Sequence, residues 1–168
     1  MTNPAFNAAC DAMLKREGGF VLHTVAGDRG GMTYAGIARN MNPRWPGWDA
    51  IDRGETPPTQ LVRDFYKREY WDRVRGDDLP PVVAASVFDF AVNAGVKVAA
   101  KLAQVVAGCA PDGVIGPKSI EALSAMSPEL FRSAYALAKI KRYAEIVNRD
   151  RSQSKFLLGW LNRTLEQV

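Results

Sequence analysis

One histidine, His23, and two cysteines, Cys10 and Cys109, are the only imidazole and thiol metal ligands in the 168 residues. Zinc sites are built from three or four clustered protein ligands. No metal centre is therefore expected, and nothing in the chain suggests another cofactor. The two cysteines lie far apart in apolar, helix-like contexts without CxxC spacing. They read as buried thiols, with a single disulfide as the alternative. Long apolar runs are also lacking. The most apolar window, 81–110, is interrupted by Asp89, Asn93, Gly95, Lys97, Lys101 and Gln104, so it reads as buried helix and not as a membrane span. The opening MTNPAFNAAC has no basic stretch leading into an apolar core, and no signal peptide is expected. Internal repeats, low-complexity tracts and flexible linkers are missing too, and the weakest seam is RGDDLPP near 76–81. Nor is there a strong charge of one sign. A net charge of +4 suits a polyanionic partner such as nucleic acid, anionic lipid or bacterial wall. No groove-reading helix or base-stacking motif points to nucleic acid.

What remains is a chain with 47% hydrophobic residues, enough for a sizeable core and far from a disordered composition. Its most informative stretch runs from Arg16 to Ala38. Residues 3–16 read as a helix, with Asn3 as the cap, Pro4 at the first helical position and an apolar stripe of Ala5, Phe6, Ala9, Cys10, Met13 and Leu14. Gly18-Gly19 ends that helix and leaves Glu17 at its C-terminal end. The negative end of the helix dipole and apolar neighbours both favour a carboxyl that keeps its proton, the state from which a general acid starts. Residues 20–38 read as a hairpin or small irregular sheet. Phe20-Val21-Leu22 and Met32-Thr33-Tyr34 are its extended parts, and AGDRGG is the turn that carries Asp28. Glu17, Asp28 and Thr33 thus fall within seventeen residues on elements that fold back on each other.

Residues 40–58 read as a proline-containing loop whose Trp45 and Trp48 either stack on a sugar or cover the core. Thr59 is expected to cap a helix over 60–74, where Tyr66, Tyr70 and Trp71 form core or groove wall. A helix apolar on nearly every side starts near Val82. It places Asp89 and Asn93 on one face, where they pair within the core or open onto a cleft. Further helices are expected over 96–106, from Pro117, from Ser127-Pro128 to Arg149, and after Gln153. Lys139, Lys141, Arg142 and Arg149 read as the solvated basic face of the long one.

The run EGGF at Glu17–Phe20, followed by DRGGMTYAGIA from Asp28 to Ala38, resembles the phage and prophage endolysins of the N-acetylmuramidase family with a Glu-Gly-Gly motif, glycoside hydrolase family 108. The resemblance extends through DFAVNAG (Asp89–Gly95), DGVIGPKSI (Asp112–Ile120) and GWLNR (Gly159–Arg163), and so covers nearly the whole chain. Phe20 stands where the family often has Tyr. A more distant similarity is to the phage-type lysozymes, which place a Glu, an Asp and a Thr in this order; here Asp28 follows Glu17 by eleven residues, a slightly longer gap.

The resemblance implies a mainly α, α+β lysozyme-like fold, a helical body with a small β-hairpin lobe flanking a glycan cleft. It would form a single domain over 1–168, with a catalytic half at 1–80 and a helical half at 81–168 like a peptidoglycan-binding segment. The implied activity is hydrolysis of the β-1,4 bond between N-acetylmuramic acid and N-acetylglucosamine in peptidoglycan. Glu17 is the general acid. Asp28 orients or deprotonates a water or supports the developing positive charge, and Thr33 holds that water. Tyr34, Tyr66, Asp89 and Asn93 are assigned to substrate contact. A lytic transglycosylase on the same fold and a non-catalytic wall-binding or secretion-helper module are the alternatives. The implied protein is a monomer, made in the bacterial host cytoplasm and acting on the periplasmic wall after release by a holin or a secretion apparatus.

Overall fold

The computed structural model describes residues 3–24 and 31–168; the expected turn residue Asp28 lies outside them. The fold is mainly helical with one small antiparallel sheet. Two compact units divide it, Met1–Asp72 and Arg73–Val168.

The first unit begins with α1, Pro4–Arg16, capped by the Asn3 side chain, which accepts from the Ala5 N–H at 2.8 Å. Its inner stripe buries Phe6, Cys10, Met13 and Leu14, and Phe6 meets Trp71 edge to face at 5.5 Å. A three-stranded sheet follows: β1 at Leu22–Thr24, β2 at Met32–Tyr34 and β3 at Ile37–Ala38. The first strand thus starts at Leu22 and not at Phe20, and β3 is an addition to the expected hairpin. In register, Thr33 of β2 stands opposite His23 and Ala38.

Two expectations are corrected in the stretch that follows. Residues 40–58 are not all loop: Gly47–Asp52 form a short helix, α2. Trp45 and Trp48 are both buried and cover the core, with indole N–H groups donating to the carbonyls of Leu61 and Asn42 at 3.2 and 2.8 Å. Thr59 does not cap the next helix. Pro58 occupies the cap position, and Thr59 is the first residue of α3, Thr59–Tyr66, which widens into a π-helical turn over Lys67–Trp71 and stops there.

The second unit is built around α4, Pro81–Ala94, whose Val83, Ala84, Val87, Phe88, Phe90 and Ala91 are all buried. Gly95 (φ 90°) separates it from α5, Val96–Val106. Then come α6, Pro117–Ala125; α7, Pro128–Arg149, capped by Ser127; and α8, Ser154–Leu165. The DGVIGP loop is tied to α5 by buried Gln104, which donates to the Asp112 carboxylate at 2.7 Å and accepts from the Gly113 N–H at 2.9 Å. Lys139 does not lie on a solvated face. It is 3% exposed and sits over the rings of Phe90 and Tyr135. The reason is spacing: Phe131, Tyr135, Lys139, Tyr143 and Val147 recur every fourth residue and form the buried stripe of α7.

Both cysteines are free thiols, Cys10 buried and Cys109 half-buried. Burial pushes the Cys10 thiol up to about 11 and raises the phenols of Tyr34, Tyr66, Tyr135 and Tyr143. All five groups are neutral when protonated. As pH rises past about 8.5 for a thiol and about 10 for a phenol, the unfolded chain ionises first, and the folded state loses stability. The melting temperature is therefore expected to hold below pH 8 and to fall steadily from about pH 9 upward. A Cys10→Ala variant should show a shallower first part of that fall in a pH-resolved calorimetric series.

Candidate active site

Glu17 takes its place from the way α1 ends. Gly18 and Gly19 adopt φ of 90° and 80°, which side chains other than glycine's resist. The Gly19 N–H reaches back to the Leu14 carbonyl at 2.8 Å and the Glu17 N–H to Met13 at 3.0 Å, a glycine-terminated helix end. The carboxyl is thereby held, half-buried, at the negative pole of the helix.

The other half of the site is the turn from β2 to β3. Ala35 (φ 48°) and Gly36 (φ 80°) are both left-handed, the two-residue turn that matches the twist of a hairpin. Tyr66, from the last turn of α3, is 2% exposed and donates its hydroxyl to the Ala35 carbonyl at 2.8 Å. A Cβ at Gly36 would stand 2.5 Å from that hydroxyl oxygen, so glycine is required by space as well as by backbone angle. Burial raises the Tyr66 phenol, and the negative charge of Glu17 adds to the effect. One phenol is thus bonded to the turn directly after Thr33 and Tyr34 and lies within electrostatic reach of the helix-end carboxyl. Tyr66→Phe is expected to lower stability by about 1–2 kcal/mol, because the Ala35 carbonyl loses a buried donor; urea denaturation measures it.

Thr33 is half-buried at the centre of β2. Tyr34, next to it and on the opposite face of the strand, is buried and stacks on Trp45 with ring centroids 6.0 Å apart. Its hydroxyl is buried and has no hydrogen-bond partner among the described residues. Trp45 also lines a hollow of about 370 Å³ with Met41, Arg44, Arg68 and Glu69, a mix of charge and apolar surface that suits a hydroxyl-rich ligand. Asp28 is outside the described residues, so the acid pair has one described member.

The remaining two assigned residues lie in the second unit, and they part company. Asp89 is 4% exposed. Its carboxylate accepts from the Gln167 amide and lies 3.7 Å from the Arg163 Nε. Gln167 in turn accepts from Lys139 at 2.8 Å. Asp89 is thus the anionic centre of a buried polar network, which explains why an apolar helix tolerates it. Asn93, one turn on, is exposed and lines a hollow with Phe90, Arg142, Tyr143, Trp160 and Arg163. Both alternatives for this helix face are therefore realised, one by each residue.

Sequence reading missed the fastening role of Tyr66 and the register that sets His23 opposite Thr33. It also missed the hollow beside Asn93, although GWLNR holds a signal for it: Trp160 and Arg163 are three apart on a helix and share a face.

Residues 10–95 match the Glycosyl hydrolase 108 family and residues 98–165 match the Predicted Peptidoglycan domain. Among solved structures, Brucella abortus SagA is similar to this chain at 28% identity and a TM-score of 0.72, covering 96% of this chain and 90% of SagA. No curated protein matches the chain. Among the described residues no helix is long and apolar enough to cross a membrane. A helix-end glutamate beside a small sheet, in a family match spanning more than half of the chain, leads to one statement: the chain belongs to the glycosyl hydrolase 108 family and is a peptidoglycan hydrolase whose second half is a peptidoglycan domain.

Proposed function

We propose that the protein is an N-acetylmuramidase that hydrolyses the β-1,4 bond between N-acetylmuramic acid and N-acetylglucosamine, with Glu17 as the general acid. The observation that carries this is the seat of Glu17: half-buried, at the negative end of α1, its charge felt at a buried phenol that fastens the β2–β3 turn. Cleaving a glycosidic bond needs a proton for the leaving oxygen and support for an oxocarbenium-like centre. Asp28 orients or deprotonates the attacking water or supports the positive charge, and the Thr33 hydroxyl holds that water. Tyr34 backs the wall around Trp45, and that wall contacts the sugar. This division of labour goes with inversion, in which the two carboxyls stand about 6.5–9.5 Å apart to admit the water; a separation near about 5 Å goes with retention. The protein acts as a monomeric phage or prophage endolysin, released to the wall by a holin or a secretion apparatus.

The test is mass spectrometry of purified peptidoglycan digested by wild type and by Glu17→Gln, partly in ¹⁸O-labelled water. Labelled reducing-end N-acetylmuramic acid from wild type alone is the expected outcome. Anhydro ends would make the enzyme a lytic transglycosylase. Intact glycan after treatment with folded wild type would leave a wall-binding module.

A further inference from the structure

GWLNR has no task in the reaction above, yet it helps to build the hollow beside Asn93. Trp160 of α8 is half-buried and stacks on Tyr143 of α7 at 5.2 Å and 27°, and the Phe156 ring lies 5.9 Å from Trp160, tilted by 30°. These rings, with Phe90 and the polar Asn93, Arg142 and Arg163, line a hollow of about 220 Å³. A second hollow, of about 260 Å³, is lined by Val98, Leu102, Val105 and Lys101, and it shares Arg142 with the first. Arg142 therefore stands where two hollows meet, one aromatic and one aliphatic. Val105, one of the residues lining the second, is 56% exposed.

The charge here has one dominant sign. Arg142, Arg163 and Lys101 line the two hollows, while Asp89, the anion next to them, is buried and already accepts from Gln167 with Arg163 beside it. Arg142 and Arg163 are also both close enough to act on the Tyr143 phenol. An aromatic platform takes the flat apolar face of a sugar ring, an exposed amide meets an N-acetyl group, a guanidinium pairs with a carboxylate, and an aliphatic hollow takes short alkyl side chains. Gathered in two hollows that share Arg142, these four preferences describe an amino sugar that carries an acidic peptide.

We propose that the second unit binds the muropeptide of peptidoglycan, with the amino sugar on Trp160 and Tyr143, a stem-peptide carboxylate on Arg142, and the peptide's alkyl groups along Val98, Leu102 and Val105. This rests on the reading of peptidoglycan as the substrate and extends it from the glycan to the peptide. The site joins Phe90 and Asn93, from the segment matched to the hydrolase family, with residues of the peptidoglycan-domain segment.

The probe is N-acetylglucosaminyl-N-acetylmuramyl tetrapeptide, compared with the same disaccharide freed of its peptide. Neither contains the bond that a muramidase cuts, so the intact wild-type chain is titrated by calorimetry. Wild type should bind the peptide-bearing form about ten- to a hundredfold more tightly than the bare disaccharide, the worth of a charge-assisted pair. Arg142→Ala should erase that difference, Arg142→Lys should restore part of it, and Trp160→Ala should weaken both ligands. Equal binding of the two ligands by wild type, no binding of either, or an Arg142→Ala variant that still prefers the peptide would overturn the proposal. The wild-type comparison needs no variant to fold. Cleavage of intact sacculi, assayed on the same preparations, separates this from the enzymatic reading. Cleavage without peptide preference removes the binding site alone, and peptide preference without cleavage removes the muramidase alone.

Discussion

Glu17→Gln is expected to cut the rate of glycan cleavage by about 10²–10⁴-fold, the usual worth of a positioned proton donor. The amide has the shape of the acid but cannot deliver a proton to the leaving oxygen. The fold should not suffer. Glu17 ends α1 through its backbone N–H, bonded to Met13, and through Gly18 and Gly19, and none of these changes. Removing a negative charge from a helix C-terminus favours the helix by about 0.3–1 kcal/mol. The Tyr66 hydroxyl should keep its hydrogen bond to the Ala35 carbonyl in the variant, so the turn after Thr33 and Tyr34 stays fastened. A variant with wild-type cleavage rates would take the general-acid role away from Glu17.

Gly47→Ala should be strongly destabilising to the first unit. A Cβ there would lie 2.1–2.4 Å from three ring carbons of Trp45, well inside contact distance. The indole has nowhere easy to go. It is 5% exposed, its N–H is bonded to the Leu61 carbonyl, it stacks on Tyr34 and it meets Trp48 edge to face at 5.0 Å. Overpacking of this kind costs about 3 kcal/mol, at the upper end of the usual range, partly offset by the better helix propensity of alanine. For a chain of this size that is a drop of about 6–12 °C in melting temperature. Because Trp45 backs Tyr34, beside Thr33, cleavage should weaken with it. Trp45→Phe makes room for the methyl group, so the double variant should be less destabilised than the sum of the two single changes. Simple additivity in that cycle would show that the methyl group is accommodated elsewhere and that the Trp45–Gly47 contact does not constrain the loop.

Much of this protein is dictated locally, and the sequence by itself determined those parts. Asn3-Pro4 and Gly18-Gly19 punctuate α1 because capping and left-handed backbone are properties of single residues, and that punctuation alone puts Glu17 at a helix end. Gly95, Pro117, and Ser127 with Pro128 mark the helices of the second half for the same reason. The ordered motifs, from EGGF to GWLNR, sufficed for the family. What only the tertiary structure decided depends on partners distant in the chain. Lys139 looks like a surface charge until the every-fourth-residue stripe of α7 carries it inside, where Gln167 accepts a hydrogen bond from it and its ammonium sits over two rings. Tyr66 could equally have been core or groove wall; its bond to Ala35, 31 residues away, gives it the fastening role. Gly47 reads as an ordinary loop glycine, and only the position of the Trp45 ring shows why it has no side chain. Arg142 gains its place between two hollows from α4, α5 and α8, none of which borders it in sequence. Caps and turns are short-range and survive reading one residue at a time. Burial, pairing and cavities arise when segments separated by tens of residues meet, and no local pattern carries that information.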